Sequence, residues 1–169
     1  MALTPAIKLN FDGDLPFALD GTVTGSGENE TYHLPRIKRG STVQFRLGFP
    51  LVGSVNQFFW IAHFRQQAQA STALFDVRWR VTGQTDTDRS YIIPDPANPN
   101  THIFINIDAD EVALAPPGAG VWDLEAWRWN VVGDFAQNFS EKDRVVEGTF
   151  IITQDVTRED DSLPPGVGA

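Results

Sequence analysis

From Val43 onward the chain alternates, with Val43, Phe45, Leu47 and Phe49 apolar and Gln44 and Arg46 polar between them. Successive side chains of a strand point to opposite faces, so this spacing predicts a half-buried strand. Phe75, Val77, Trp79 and Val81 alternate in the same way with Asp76, Arg78 and Arg80, and predict another with one wet face. Phe58–Arg65 (FFWIAHFR) is apolar at odd and even positions alike. That pattern predicts a central strand, covered on one side by the core and on the other by another element or another chain. Ile103–Ile107, Val121–Asn130 (VWDLEAWRWN) and Arg144–Val156 read as further strands, the last two joined by a polar loop. Asp108–Leu114 predicts one helical turn, stopped by Pro116-Pro117-Gly118. Ile92–His102 (IIPDPANPNTH) carries three prolines and is expected to break regular structure.

Residues 1–40 are punctuated by Pro5, Pro16, Pro35, Gly13, Gly21, Gly25 and Gly27. They are expected to form an arm, with short strands around Ile7–Phe11 and Thr31–Leu34. The segment from Glu159 (EDDSLPPGVGA) is acidic and then Pro/Gly-rich, and is expected to be mobile or to order only against a neighbour. The chain thus divides into an arm (1–40), a folded domain (41–158) and a tail (159–169). About six strands with turn signals between them and almost no helix predict an all-β fold, an antiparallel β-sandwich of Ig-like or jelly-roll-like type. The N-terminal arm would be extended and the C-terminal tail flexible; a barrel is the alternative closure.

Length and composition fit one folded domain: 169 residues, 41% hydrophobic and 21% charged. The absence of cysteine excludes disulfides and thiolate metal sites, and suits synthesis in a reducing cytoplasm. No stretch reads as a signal peptide or membrane span, so a soluble protein is expected. A net charge of −9 opposes binding to phosphate backbones. The basic cluster Arg36, Lys38 and Arg39 is accordingly read as a solvated loop or a protein contact of the arm, with no nucleic-acid partner expected.

Catalytic chemistry is sparse. There is no Cys nucleophile and no GxSxG elbow. His33, His63 and His102 lie in separate segments without metal-ligand spacing and are read as packing or surface residues. Asp108, Asp110 and Glu111 offer hard oxygen ligands, as do Asp12 and Asp14, but read as helix N-terminal acids and turn residues. Asp123 and Glu125 share a strand face and would suit a glycosidase pair, yet such spacing is common on solvated strands. The expectation is therefore no enzyme, no metal and no cofactor. The tryptophans carry more information: on a regular strand Trp122, Leu124 and Ala126 point one way, and Asp123, Glu125, Trp127 and Trp129 the other. A bulge near Ala126 would turn all three tryptophans into the core. Otherwise Trp127 and Trp129, with Phe59 and Ile61, form an aromatic patch suited to a protein interface or to stacking on sugar rings.

Four segments carry a resemblance: IKRGSTVQFRLGF (Ile37–Phe49), INIDADEVALAPPG (Ile105–Gly118), VWDLEAW (Val121–Trp127) and VVEGTFIITQDVTRED (Val145–Asp160). In order and spacing they resemble a family of tailed-bacteriophage virion structural proteins, of the kind found at baseplates and at the attachment ends of tail fibres. The resemblance implies a β-sandwich that acts structurally in a multi-copy assembly and has no active site. Its partners would be other virion proteins and copies of itself, with no membrane; it would be made in the bacterial cytoplasm and located in the virion. The N-terminal arm and the Arg65–Leu74 connection depart from the family's compact pattern. A head or neck decoration or connector protein is one alternative. A carbohydrate-binding module is another, using Trp127, Trp129 and Trp79 on a cell-surface glycan.

Overall fold

The computed structural model describes residues 8–10, 22–24, 31–49, 54–80, 89–130 and 139–154. The alternating segment forms β4 (Val43–Gly48), which pairs with β8 (His102–Ile107) at the centre of a smaller sheet. Flanked by β1 (Lys8–Asn10) and β7 (Tyr91–Pro94), that sheet has the order β1-β4-β8-β7. The larger sheet takes in β2 (Thr22–Thr24), β3 (Thr31–Lys38), β5 (Phe58–Arg65), β6 (Phe75–Arg78), β9 (Gly118–Trp129) and β10 (Phe139–Thr153). Its order is β2-β3-β10-β9-β5-β6.

The predicted all-β sandwich is observed, with one difference: β3 and β10 run parallel, whereas the other named strand pairs are antiparallel. The reason is connectivity. β3 and β4 are consecutive in sequence but enter different sheets, so β3 finds its partner in the last strand of the larger sheet.

The core lies between the sheets. Val43, Phe45, Leu47, Ile92, Ile103, Ile105 and Ile107 of the smaller sheet are at most 1% exposed. They face Trp60, Phe64, Trp122, Leu124 and Phe150 of the larger one, as the edge-on contact of Phe45 with Trp122 (5.7 Å between centroids) illustrates. The indole N–H groups of the two most deeply buried tryptophans find carbonyl acceptors, Trp60 Nε1 on Val55 at 2.9 Å and Trp122 Nε1 on Tyr32 at 3.0 Å, so neither is buried unpaired.

Helix α1 (Ala109–Leu114) carries the chain from β8 in one sheet to β9 in the other. It begins as predicted: Asp108 caps it, accepting from the Asp110 N–H at 3.1 Å, and Arg89 pairs with both carboxylates, while Val112 plugs the core. Asp108→Ala is expected to lower the urea unfolding free energy by about 1 kcal/mol, typical of a lost cap.

The strand expected around Thr31–Leu34 is present and runs on to Lys38 as β3, inside the larger sheet between β2 and β10. Tyr32, Leu34 and Ile37 are all buried, and the change of spacing from two to three falls at Pro35. There the β3–β10 register slips, Thr149 facing His33 while Ile151 faces Arg36. Proline has no N–H to give the ladder, so it occupies the residue a bulge leaves unpaired. The strands pass closely at Gly148: a Cβ there would overlap the Tyr32 carbonyl and lie 2.5 Å from Trp122 Nε1. Gly148→Ala is expected to cost about 2–3 kcal/mol in the same unfolding assay, because backbone must move to admit the methyl. In the turn that follows β3, Gly40 has φ 79°, a left-handed conformation that favours glycine.

The proline-rich stretch contains structure not expected from sequence: Tyr91–Pro94 forms edge strand β7, with Pro94 at its last position. The rest of the arm before Thr31, apart from β1 and β2, and the tail 159–169 lie outside the described residues.

Candidate functional site on the outer face of the larger sheet

The smaller sheet covers one face of the larger sheet, and the polar residues of its central strands gather on the other. On β5, Phe59, Ile61, His63 and Arg65 alternate with core residues, and face Trp127, Glu125, Asp123 and Val121 of β9 in an unbroken register. On β6, Asp76 stands opposite His63 and Arg78 opposite Ile61. On β10, Lys142, Arg144 and Glu147 stand opposite Trp127, Glu125 and Asp123. Register slips between Phe139 and Glu141 and between Arg144 and Val146 place the bulges on β10, leaving β9 regular. The face is thereby sorted into an aromatic end and a charged middle.

In the charged middle, His63 Nδ1 bonds Asp76 Oδ1 at 2.7 Å, and Nε2 lies 3.7 Å from Glu125 Oε2. The same Glu125 oxygen accepts from Trp127 Nε1 at 3.1 Å and has Lys142 Nζ at 4.0 Å. Arg65 donates to Asp123 Oδ2 at 2.6 Å. Asp123 and Glu125 are only 7% and 8% exposed, which corrects their reading as solvated strand residues. Trp127 and Lys142 meet Glu125 instead, and Arg65 meets Asp123. The Arg144 guanidinium is held above its ordinary pKa, first by its hydrogen bond to Glu147 and then by the Asp123, Glu147 and Glu125 charges, against the opposing effect of burial. A recess of about 250 Å³ opens here, lined by Thr31, Arg65, Asp123, Arg144, Glu147 and Thr149 among others. His63, Asp123 and Glu125 each offer a donor atom within 4.8 Å of the other two, a set able to hold a metal ion.

At the aromatic end the four predicted patch residues do come together, but not as an open platform. Phe59 and Trp129 are 6% and 5% exposed and meet edge-on at 5.7 Å. Phe139 packs on both Trp129 (5.0 Å) and Trp127 (5.4 Å), and Lys142 Nζ stands 4.9 Å over the Trp127 ring. Trp127 and Ile61 remain half-buried. No bulge at Ala126 was needed to shelter the rings; neighbours on the outer face do so.

The basic cluster is divided. Arg36 and Lys38 are exposed on β3, while Arg39 Nε donates to the Ala113 carbonyl at 2.9 Å, tying the turn after β3 to α1. The histidines are apart: His33 sits between Thr24 and Thr149 on β3, His63 is on β5 with two strands in between, and His102 is in the smaller sheet. Asp12 and Asp14 lie outside the described residues. The grouping of His63 and Asp76 with Asp123 and Glu125 was not foreseen. Its signal was present as polar residues at alternate positions of FFWIAHFR, FDVR and VWDLEAW, but only strand pairing sets them side by side.

Searches against protein-family models and against curated proteins find no match to the chain. Among the described residues, no helix is long and apolar enough to cross a membrane.

Proposed function

We propose that the chain is a structural component of a bacteriophage virion, a tail, baseplate or fibre-adaptor protein that works by assembling with other virion proteins and copies of itself, not by catalysis. One observation carries this reading. The four segments that bear the family resemblance fall on strands that are partners in space: Ile37–Phe49 contains β4 and Ile105–Gly118 ends β8, which pair in the smaller sheet. Val121–Trp127 lies on β9, and the described strand part of the fourth segment, from Val145 to Thr153, lies on β10; the two pair in the larger sheet. Each resembling pair therefore builds the middle of one layer.

The surface proposed for assembly is the aromatic end of the outer face, where Ile61 and Trp127 keep partial exposure beside Phe59 and Trp129. Burying such half-covered aromatic surface against another chain supplies association energy without a new core. Sugar stacking is the weaker alternative, because Lys142 already stands over the Trp127 ring. Phage particles banded by density and analysed by mass spectrometry are expected to contain this chain in fixed stoichiometry. A chain found only as a free monomer in the lysate would remove the proposal, and glycan binding lost in Trp127→Ala would favour the sugar reading.

A further inference from the structure

We propose that His63, Asp123 and Glu125 bind one divalent transition-metal ion on the outer face of the larger sheet, a site independent of the assembly reading. The donor set is mixed, one imidazole nitrogen and two carboxylates, with donor atoms within 4.8 Å of one another. His63 Nε2 and Glu125 Oε2 are 3.7 Å apart, close to the ~3.4 Å between two ligands held at about 2.1 Å by a tetrahedral ion.

The histidine is oriented for this role. A carboxylate only accepts, so the Nδ1–H donates to Asp76 Oδ1 at 2.7 Å, which leaves Nε2, on the side of Glu125, as the ring atom that a metal ion would take. A carboxylate behind the imidazole is the usual outer support of a metal-bound histidine.

A second, independent observation concerns Asp123. Its Oδ2 is taken by Arg65, but its Oδ1 is buried and without a hydrogen-bond partner, in a residue only 7% exposed. An unpaired buried carboxylate oxygen is costly, and a cation shared with Glu125 and His63 would satisfy it. Imidazole with oxygen ligands favours zinc and its neighbours over magnesium or calcium. Bound there, the ion would cross-link β5 to β9, with Asp76 extending the link to β6.

The test uses the purified full chain, freed of metal by chelation and titrated with ZnCl2, with CoCl2 as the spectroscopic probe. Native mass spectrometry and calorimetry are expected to show one Zn2+ per chain, and Co2+ to give visible d–d bands of a low-coordinate site. His63→Gln and Asp123→Asn should each weaken Zn2+ binding at least 100-fold. Asp76→Asn, which leaves all three ligands in place, should weaken it about 10-fold. Absence of stoichiometric Zn2+ binding, or binding that His63→Gln leaves unchanged, would overturn the site. Should a ligand variant not fold, Asp76→Asn decides, since unchanged affinity there contradicts the proposed geometry.

Discussion

Arg46→Met is expected to cost about 3–5 kcal/mol of unfolding free energy, among the largest losses of any single substitution in this chain. Asp95 is completely buried, and its carboxylate meets Arg46 Nε at 3.1 Å. Neither Asp95 oxygen has an aligned hydrogen bond, so the contact is one of charge. Methionine keeps the length and apolar stem of arginine but leaves a buried carboxylate without its cation, and the desolvation penalty is then uncompensated. The double variant Arg46→Met/Asp95→Leu removes both charges and should recover most of the loss. Urea unfolding of the two single variants and the double one measures the coupling directly. Additive losses would mean that the pair does not interact.

Phe64→Ala is expected to cost a similar ~3–5 kcal/mol by a different mechanism. Phe64 is fully buried and is the ring on which others converge: Phe75 stacks at 4.7 Å, Trp122 at 5.9 Å, and Phe150 meets it edge-on at 5.5 Å. Truncation removes apolar burial and leaves a cavity bounded by four strands, whose pairing limits collapse. Phe64→Leu, which refills most of the space, should lose less than half as much. The near-ultraviolet signal of Trp122 should also change in Phe64→Ala, since its stacked neighbour is gone. Equal losses in the alanine and leucine variants would point to a specific aromatic requirement instead of packing volume.

Much of this fold is legible in the chain because half-buried strands write their faces as a period of two. Val43 to Phe49 and Phe75 to Trp79 show it plainly, and α1 is marked by its cap Asp108 and by the prolines that follow it. Two elements are not fully legible, each for a local reason. β3 is readable only as the short strand expected around Thr31–Leu34, because a bulge at Pro35 changes the spacing of Tyr32, Leu34 and Ile37, so no single period fits its whole length. β7 hides in a proline-rich stretch because an edge strand tolerates proline at a position that owes the ladder no N–H.

The site was less legible than the fold. That Asp123 and Glu125 share a face of their strand follows from alternation, but their meeting with His63 depends on register, which places His63 between Asp76 and Asp123. Register is decided by the whole sheet, since a one-residue slip would exchange its two faces. For the same reason the exposure of Trp127 and Trp129 was not readable. Their cover comes from Phe139 and Lys142, residues of β10 brought alongside by pairing.

The proposed assembly through the outer face is tested most directly by supplying the Ile61→Glu/Trp127→Ala variant during infection in place of the natural chain. Both residues lie outside the inter-sheet layer, so the purified variant should keep the wild-type strand signal in circular dichroism and unfold cooperatively. Particles banded by density are predicted to lack it, while the wild-type chain bands with them. Incorporation of the folded variant at the wild-type level would contradict assembly through this face.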